Sequence, residues 1–245
     1  MTQAVLFDLD NTLILFDETK FFKSYLPSIS ESFSDLMPVS QFQERLLLSS
    51  RALLKNDGTL NNADFFMKHF CRGLEDSREL LWQRFIGFYE KGFDSFESLI
   101  TKIEGTREVI LALKEKNIKL VIASNPMWPE SIQYKRLKWA GLGDIHFDLI
   151  THIENMSFCK PQLGYYQEIC EKINEEPQAC LMVGNDPVND MVVTRLGMKA
   201  YMTTDAQEKG FASLAMSREL LTDLPGDIPE PDFRGPLTDV IQIID

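Results

Sequence analysis

Short apolar runs rich in Val, Ile and Leu recur along this chain, separated by stretches of helical length, and no other feature restricts its folding as much. The runs are Ala4–Phe7, 119–123, 147–150, 180–183 and 199–202. Their apolar residues are nearly consecutive, the pattern of strands buried on both faces; half-exposed strands alternate. Between the later runs lie 107–116, 129–139, 163–173 and 189–196, each long enough for at least two helical turns. Strand and helix alternating from about residue 105 predict an α/β fold, a doubly wound, Rossmann-like parallel sheet with helices on both faces.

The alternation is interrupted between residues 16 and 103, where no strand is convincing. Phe42, Arg45, Leu46, Ser49 and Leu53 have helical spacing, as do Phe65, Phe66, His69 and Phe70, and then Leu81, Phe85, Phe88 and Tyr89. A helical insertion is therefore expected to follow the first strand. Asn56-Asp57-Gly58 marks a turn inside it, and Thr106 is the expected N-cap of the helix that returns to the sheet. The expected organisation is a sheet domain of residues 1–15 and 104–245 and a helical domain of residues 16–103. From residue 224 the Pro- and Gly-rich tail is expected to run over the surface to a last short helix near 238–244.

Composition narrows the partners. A net charge of -12 opposes binding to nucleic acid or anionic lipid, both of which depend on clustered Lys and Arg. No stretch approaches the ~20 apolar residues of a membrane span, and the N-terminus lacks a basic region followed by a long apolar one, so a cytoplasmic protein acting on a small molecule is expected. Cys71, Cys159, Cys170 and Cys180 form no C-x-x-C pair, and only three His are present, so buried reduced thiols are expected and a zinc site is not.

The chemistry-bearing residues follow the predicted strands. The first strand runs into Asp8 and Asp10, and ligands of open parallel sheets collect beyond the carboxyl ends of the strands. A calcium loop beginning there would need Gly at its sixth position and Glu at its twelfth, where this chain has Leu13 and Thr19; an ordinary acidic turn is the remaining alternative. The second strand ends at Ser124-Asn125-Pro126, a hydroxyl and amides able to hold phosphate oxygens, or simply a turn. Lys160 follows the third strand and precedes Pro161, which suits the first position of the next helix. The fourth strand enters Gly184-Asn185-Asp186-Pro187-Val188-Asn189-Asp190. Each loop alone has a bland explanation. Four such loops leaving the same edge of one sheet, with carboxylates, a hydroxyl and an ammonium, make a magnesium and phosphate constellation.

The order and spacing of these motifs resemble the haloacid dehalogenase-like superfamily. The resemblance covers the sheet domain and the insertion, which is similar to that family's helical cap. It implies a phosphatase acting on a small-molecule phosphate ester with Mg2+. Asp8 would be the nucleophile, forming an aspartyl phosphate; Asp10 the general acid and base; and Thr12 a support of their loop. Ser124, with Asn125 beside it, would meet the phosphoryl group, and Lys160 would neutralise charge. The metal would be held at Asp8, Asp10, Asp186 and Asp190. In the commonest family pattern an acid directly follows the glycine; here Asn185 does. Asp186 is then the expected principal ligand and Asp190 a second ligand or the partner of Lys160, with Asn185 the alternative. A phosphomutase would keep the same groups, and a regulatory binding protein on a weakened catalytic frame is the reading from another class.

The residue types have a physical reason. Two unit charges ~4 Å apart at an effective dielectric of ~20 interact by ~4 kcal/mol, so a carboxylate nucleophile approaches a phosphate only where cations offset the repulsion.

Overall fold

The computed structural model describes residues 1–211, 227 and 229–244. In chain order the elements are β1 (Ala4–Phe7), β2 (Ile14–Phe16), α1 (Glu18–Glu31), α2 (Val39–Leu53), α3 (Asn62–Phe70), α4 (Arg78–Lys91), β3 (Ile100–Lys102), α5 (Thr106–Glu115), β4 (Lys119–Ile122), α6 (Glu130–Trp139), β5 (Leu149–Ile150), α7 (Leu163–Ile173), β6 (Cys180–Gly184), β7 (Lys199–Thr203), α8 (Asp205–Glu208) and β8 (Phe233–Gly235). Six strands form one sheet in the order β5-β4-β1-β6-β7-β8. Every pairing in it is parallel.

Two-residue alternation divides the sheet between two cores. Val5, Phe7, Leu120, Ile122, Leu181 and Val183 pack against α5, α6 and the C-terminal 3-10 helix Leu237–Ile243. Ala4, Leu6, Val121, Met182 and Ala200 pack against α7 and the segment after β6. This is the expected doubly wound arrangement. The chain lays β4 and β5 on one side of β1 and β6, β7 and β8 on the other, so the reversal of strand order falls at the carboxyl end of β1. That end is held on both sides, because the Asp8 amide donates to the Val183 carbonyl at 2.9 Å and the Ala123 amide to the Phe7 carbonyl at 2.7 Å.

Residues between β2 and β3 form helices α1 to α4, whose inward faces share a third, aromatic-rich core that includes Phe21, Phe33, Phe42, Phe70 and Phe85. This core reaches Ile132, Trp139 and Ile153 of the sheet side. Trp128, in the loop after β4, meets Phe21, Tyr25, Tyr89 and Phe93 with ring centroids 5.4 to 6.0 Å apart. The two crossings into and out of this segment, β2 and β3, pair with each other as an antiparallel ribbon.

The structure departs from the sequence expectations at several points. Segment 189–196 is a 3-10 helix at Met191–Leu196, because left-handed Gly197 closes it after six residues. Left-handed Gly105, not Thr106, caps α5; the Thr106 hydroxyl donates to the Leu13 carbonyl at 3.1 Å, tying α5 to the loop after β1. Pro161 precedes α7 instead of opening it, since the chain between Lys160 and Gln162 is still turning into the site. Three strands of three residues each, β2, β3 and β8, were not expected; β3 and β8 carry too few apolar residues to read as runs, and the apolar β2 follows the acidic turn after β1 too closely to stand out as a separate strand. The first part of the tail, 224–226, lies outside the described residues, and the expected last helix is the 3-10 helix named above. All four cysteines are buried and without disulfides. No helix among the described residues is long and apolar enough to cross a membrane.

Candidate active site

At the carboxyl edge of the sheet the chain turns sharply after β1. Asn11 takes a left-handed conformation, φ 60°, which Asn tolerates better than most side chains, and its Oδ1 accepts from the Phe16 amide at 2.9 Å. The turn leaves Asp8 at the strand end, Asp10 above it, and Thr12 fully buried beneath.

The Lys160 side chain joins three of the four loops. It is 1% exposed, and its Nζ lies 2.8 Å from Asp8 Oδ1 and 2.7 Å from Asp190 Oδ1. Burial alone works against the ammonium, but the Asp190 and Asp8 carboxylates outweigh it and hold the Lys160 pKa well above the ordinary lysine value. Burial pushes Asp190 up to about 7, with Lys160 opposing the rise. Asp190 spends its other oxygen, Oδ2, on the Asp186 amide at 3.0 Å. A Cβ on Gly184 would stand 2.2 Å from that oxygen, so the glycine is required by the carboxylate lying over it.

The second loop is fixed from below. Thr151 Oγ1 and the Tyr165 hydroxyl both donate to the Ser124 carbonyl, at 2.7 and 2.8 Å, and Asn125 Oδ1 accepts from the Lys160 amide at 3.3 Å. Ser124 and Asn125 thereby face the same cavity as Asp8, Asp10 and Lys160.

The expected metal set is not gathered as four converging side chains. Asp190 belongs to Lys160, as above. Asp10 Oδ1 is paired with the Arg136 guanidinium. Asp186 Oδ1 accepts from the Val188 and Asn189 amides, both at 2.8 Å, which closes its own loop. Asn185 instead stands beside Asp8: the Thr12 hydroxyl lies 3.2 Å from Asn185 Oδ1 and 3.3 Å from Asp8 Oδ2. No group of three or more His, Cys, Asp or Glu with metal-holding geometry occurs among the described residues. A divalent cation that keeps its waters and takes substrate oxygens needs only one or two protein carboxylates. The Asn185 amide oxygen and the Asp8 carboxylate oxygen, gathered about one hydroxyl, are neighbouring hard-oxygen donors of the kind that suits Mg2+.

Arg136 was not anticipated. It is 2% exposed, reaches Asp10 from α6, lies 5.9 Å over the Phe16 ring, and donates to Gln133 Oε1 at 2.9 Å. Burial raises the Asp10 carboxyl above the ordinary aspartate range, and Arg136 opposes that rise. The available signal was Gln133 and Arg136 sharing the helical face of Ile132, Leu137 and Ala140, polar residues at core spacing.

A family model described as haloacid dehalogenase-like hydrolase matches residues 2–192. The chain is 24% identical over 204 residues to a glyceraldehyde 3-phosphate phosphatase of Methanothermobacter thermautotrophicus, covering 82% of this chain and 85% of that protein. Among solved structures, a HAD phosphatase from Thermococcus onnurineus superposes with a TM-score of 0.58 at 21% identity, over 99% of this chain and 97% of the other. A putative beta-phosphoglucomutase from Thermotoga maritima gives 0.53 at 20%, covering 99% and 98%.

Proposed function

This chain belongs to the haloacid dehalogenase-like hydrolases, and from that membership we propose that it is a Mg2+-dependent phosphatase of small phosphate esters that works through a phosphorylated Asp8. The observation that carries the reading is the buried Lys160 ammonium bridging Asp8 and Asp190 at the floor of a cavity that Ser124 and Asn125 also line. The phosphatase and phosphomutase among its relatives are consistent with phosphoryl chemistry. Mg2+-dependent release of phosphate from an aryl phosphate by the purified chain is the direct test, and no release would refute the reading.

Asp8 attacks phosphorus, and the ester oxygen departs with a proton from Asp10. Water then attacks the aspartyl phosphate, giving its proton to Asp10. The carboxyl must therefore be protonated in the first step, which its raised pKa favours, and ionised in the second, which Arg136 favours. Lys160 and the Ser124 loop take phosphoryl oxygens. Asp8 and Asn185 would hold Mg2+, with the main-chain carbonyl of Asp10. Bound there, the ion would supply the positive charge that lets two anions meet.

Two predictions follow from these assignments. Asn185→Asp should lower the Mg2+ concentration giving half-maximal activity and Asn185→Ala should raise it, on the order of tenfold each, while Asp186→Ala acts mainly through the loop it closes. A Mg2+ titration in which Asp186→Ala has the larger effect would return the ligand role to Asp186. In Asp10→Asn, steady-state turnover should fall by about 10²–10⁴. A nitrophenyl leaving group needs no proton, so mixing this variant with nitrophenyl phosphate should give a burst of nitrophenolate followed by slow hydrolysis of the phosphorylated Asp8. Equal slowing of both phases would remove Asp10 from the second step.

In the same reading residues 16–103 are a cap domain over a core of residues 1–15 and 104–245. The β2–β3 ribbon forms its two connections, and the cap supplies the wall that faces the leaving group.

A further inference from the structure

The cavity above Asp8 has a volume of about 630 Å³, within the range of sites that enclose a whole small molecule. Its two ends differ in chemistry. Carboxylates, amides and Lys160 gather at the sheet edge; the rest of the lining is largely aromatic and aliphatic, with Phe22, Leu46, Trp82 and Phe85 from the helices and Met127 and Trp128 from the loop after β4. Polar groups on this apolar wall are few. Glu18 and Glu44 are acidic, Ser50 carries a hydroxyl, and Gln43 donates its amide to Ser30 at 3.2 Å. The hydroxyls of Tyr25 and Tyr89 lie 2.9 Å apart and hydrogen-bond to each other. Among the described residues lining the cavity Lys160 is the sole Lys or Arg, and its ammonium is held between Asp8 and Asp190.

Each chemical class of leaving group meets this wall differently. A second phosphate or a carboxylate on the substrate would lie against rings and methyl groups, and no Lys or Arg stands among the described residues that form this wall. A polyhydroxylated chain would bury hydroxyls against rings and methyl groups, and each buried hydroxyl left unpaired weakens binding by roughly one to two powers of ten. An apolar chain loses nothing there, and each buried methylene tightens binding about fourfold.

Resting on the phosphatase reading of the site, we infer that the preferred substrate is the phosphate monoester of a bulky, uncharged, apolar alcohol, not a sugar, triose or carboxylate-bearing phosphate. The phosphoryl group sits on Asp8, Ser124 and Lys160, and the apolar part lies under α1, α2 and α4. A glyceraldehyde phosphate, with its hydroxyl and carbonyl, would leave most of the wall uncovered.

The test measures phosphate release by the full chain with Mg2+ from ethyl, butyl, hexyl and octyl phosphate, with glyceraldehyde 3-phosphate and phosphoglycolate as polar comparisons. kcat/KM is expected to rise about three- to fourfold per methylene, at least 100-fold from ethyl to octyl, with both polar esters below butyl phosphate. Leu46→Glu, which adds a carboxylate to the wall, should lower the octyl value at least tenfold more than the ethyl value. Release with a flat series, or with a polar ester ahead of butyl phosphate, overturns the inference and leaves the phosphatase reading intact. If no ester releases phosphate the phosphatase reading falls. Calorimetric titration of the same alkyl phosphates into the chain with Mg2+ then tests the wall by itself: Kd tightening along the series supports the inference, and equal Kd values overturn it.

Discussion

Asp8→Asn should reduce phosphate release by a factor on the order of 10⁴ or more while leaving the fold unchanged. The amide is nearly the same size as the carboxylate, and it can still accept from Lys160, which lies 2.8 Å away. What it lacks is a nucleophilic oxygen. The parallel pairings that fix the end of β1 are main-chain bonds and do not depend on the side chain. Circular dichroism should therefore match the wild type, with Lys160 still paired to Asp190. Acid quenching of the wild-type chain during turnover, followed by peptide mass analysis, should place a phosphoryl group on the peptide containing Asp8 and on no such peptide from the variant. Wild-type rates from Asp8→Asn would dispose of the proposed mechanism.

Lys160→Met should damage both stability and catalysis, and the two effects are separable. The side chain is 1% exposed and lies between two carboxylates, one of them, Asp190, fully buried. Removing the ammonium leaves negative charges uncompensated in a low-dielectric interior, which costs about 3–5 kcal/mol when one partner of a buried pair is deleted. Urea unfolding in the presence of a chelator should show that loss. Adding Asp190→Asn removes the most deeply buried of the stranded charges and should restore a large part of the stability. Activity should not return with it, because the ammonium that takes the phosphoryl oxygens is still missing. A double variant that recovers turnover along with stability would make Lys160 a structural residue only.

The local pattern of the sequence determined a large share of this outcome. Residues such as Ala4–Phe7 and Cys180–Gly184 are apolar at successive positions because both faces of their strands are covered, and that requirement is written in the strand itself. The same holds for the amphipathic helices α2, α3 and α4, whose buried residues Phe42, Phe66, Phe70, Leu81 and Phe85 fall at helical spacing. Since parallel strands present their carboxyl ends at one edge, the approach of Asp8, Ser124, Lys160 and the loop after β6 followed from the strand assignments. What a loop side chain does once it arrives is not a local property. Asn185 and Asp186 are neighbours in the chain, yet one meets the Thr12 hydroxyl and the other its own loop amides. A change of one position reverses side-chain direction, and the choice is made by Asp190, which holds the Asp186 amide, and by Lys160, which holds Asp190. Arg136 reaches Asp10 across 126 residues of sequence, and the apolar wall is assembled from several helices and a sheet loop. Only tertiary structure could decide these features, because their energies come from pairs that folding brings together and no single segment contains.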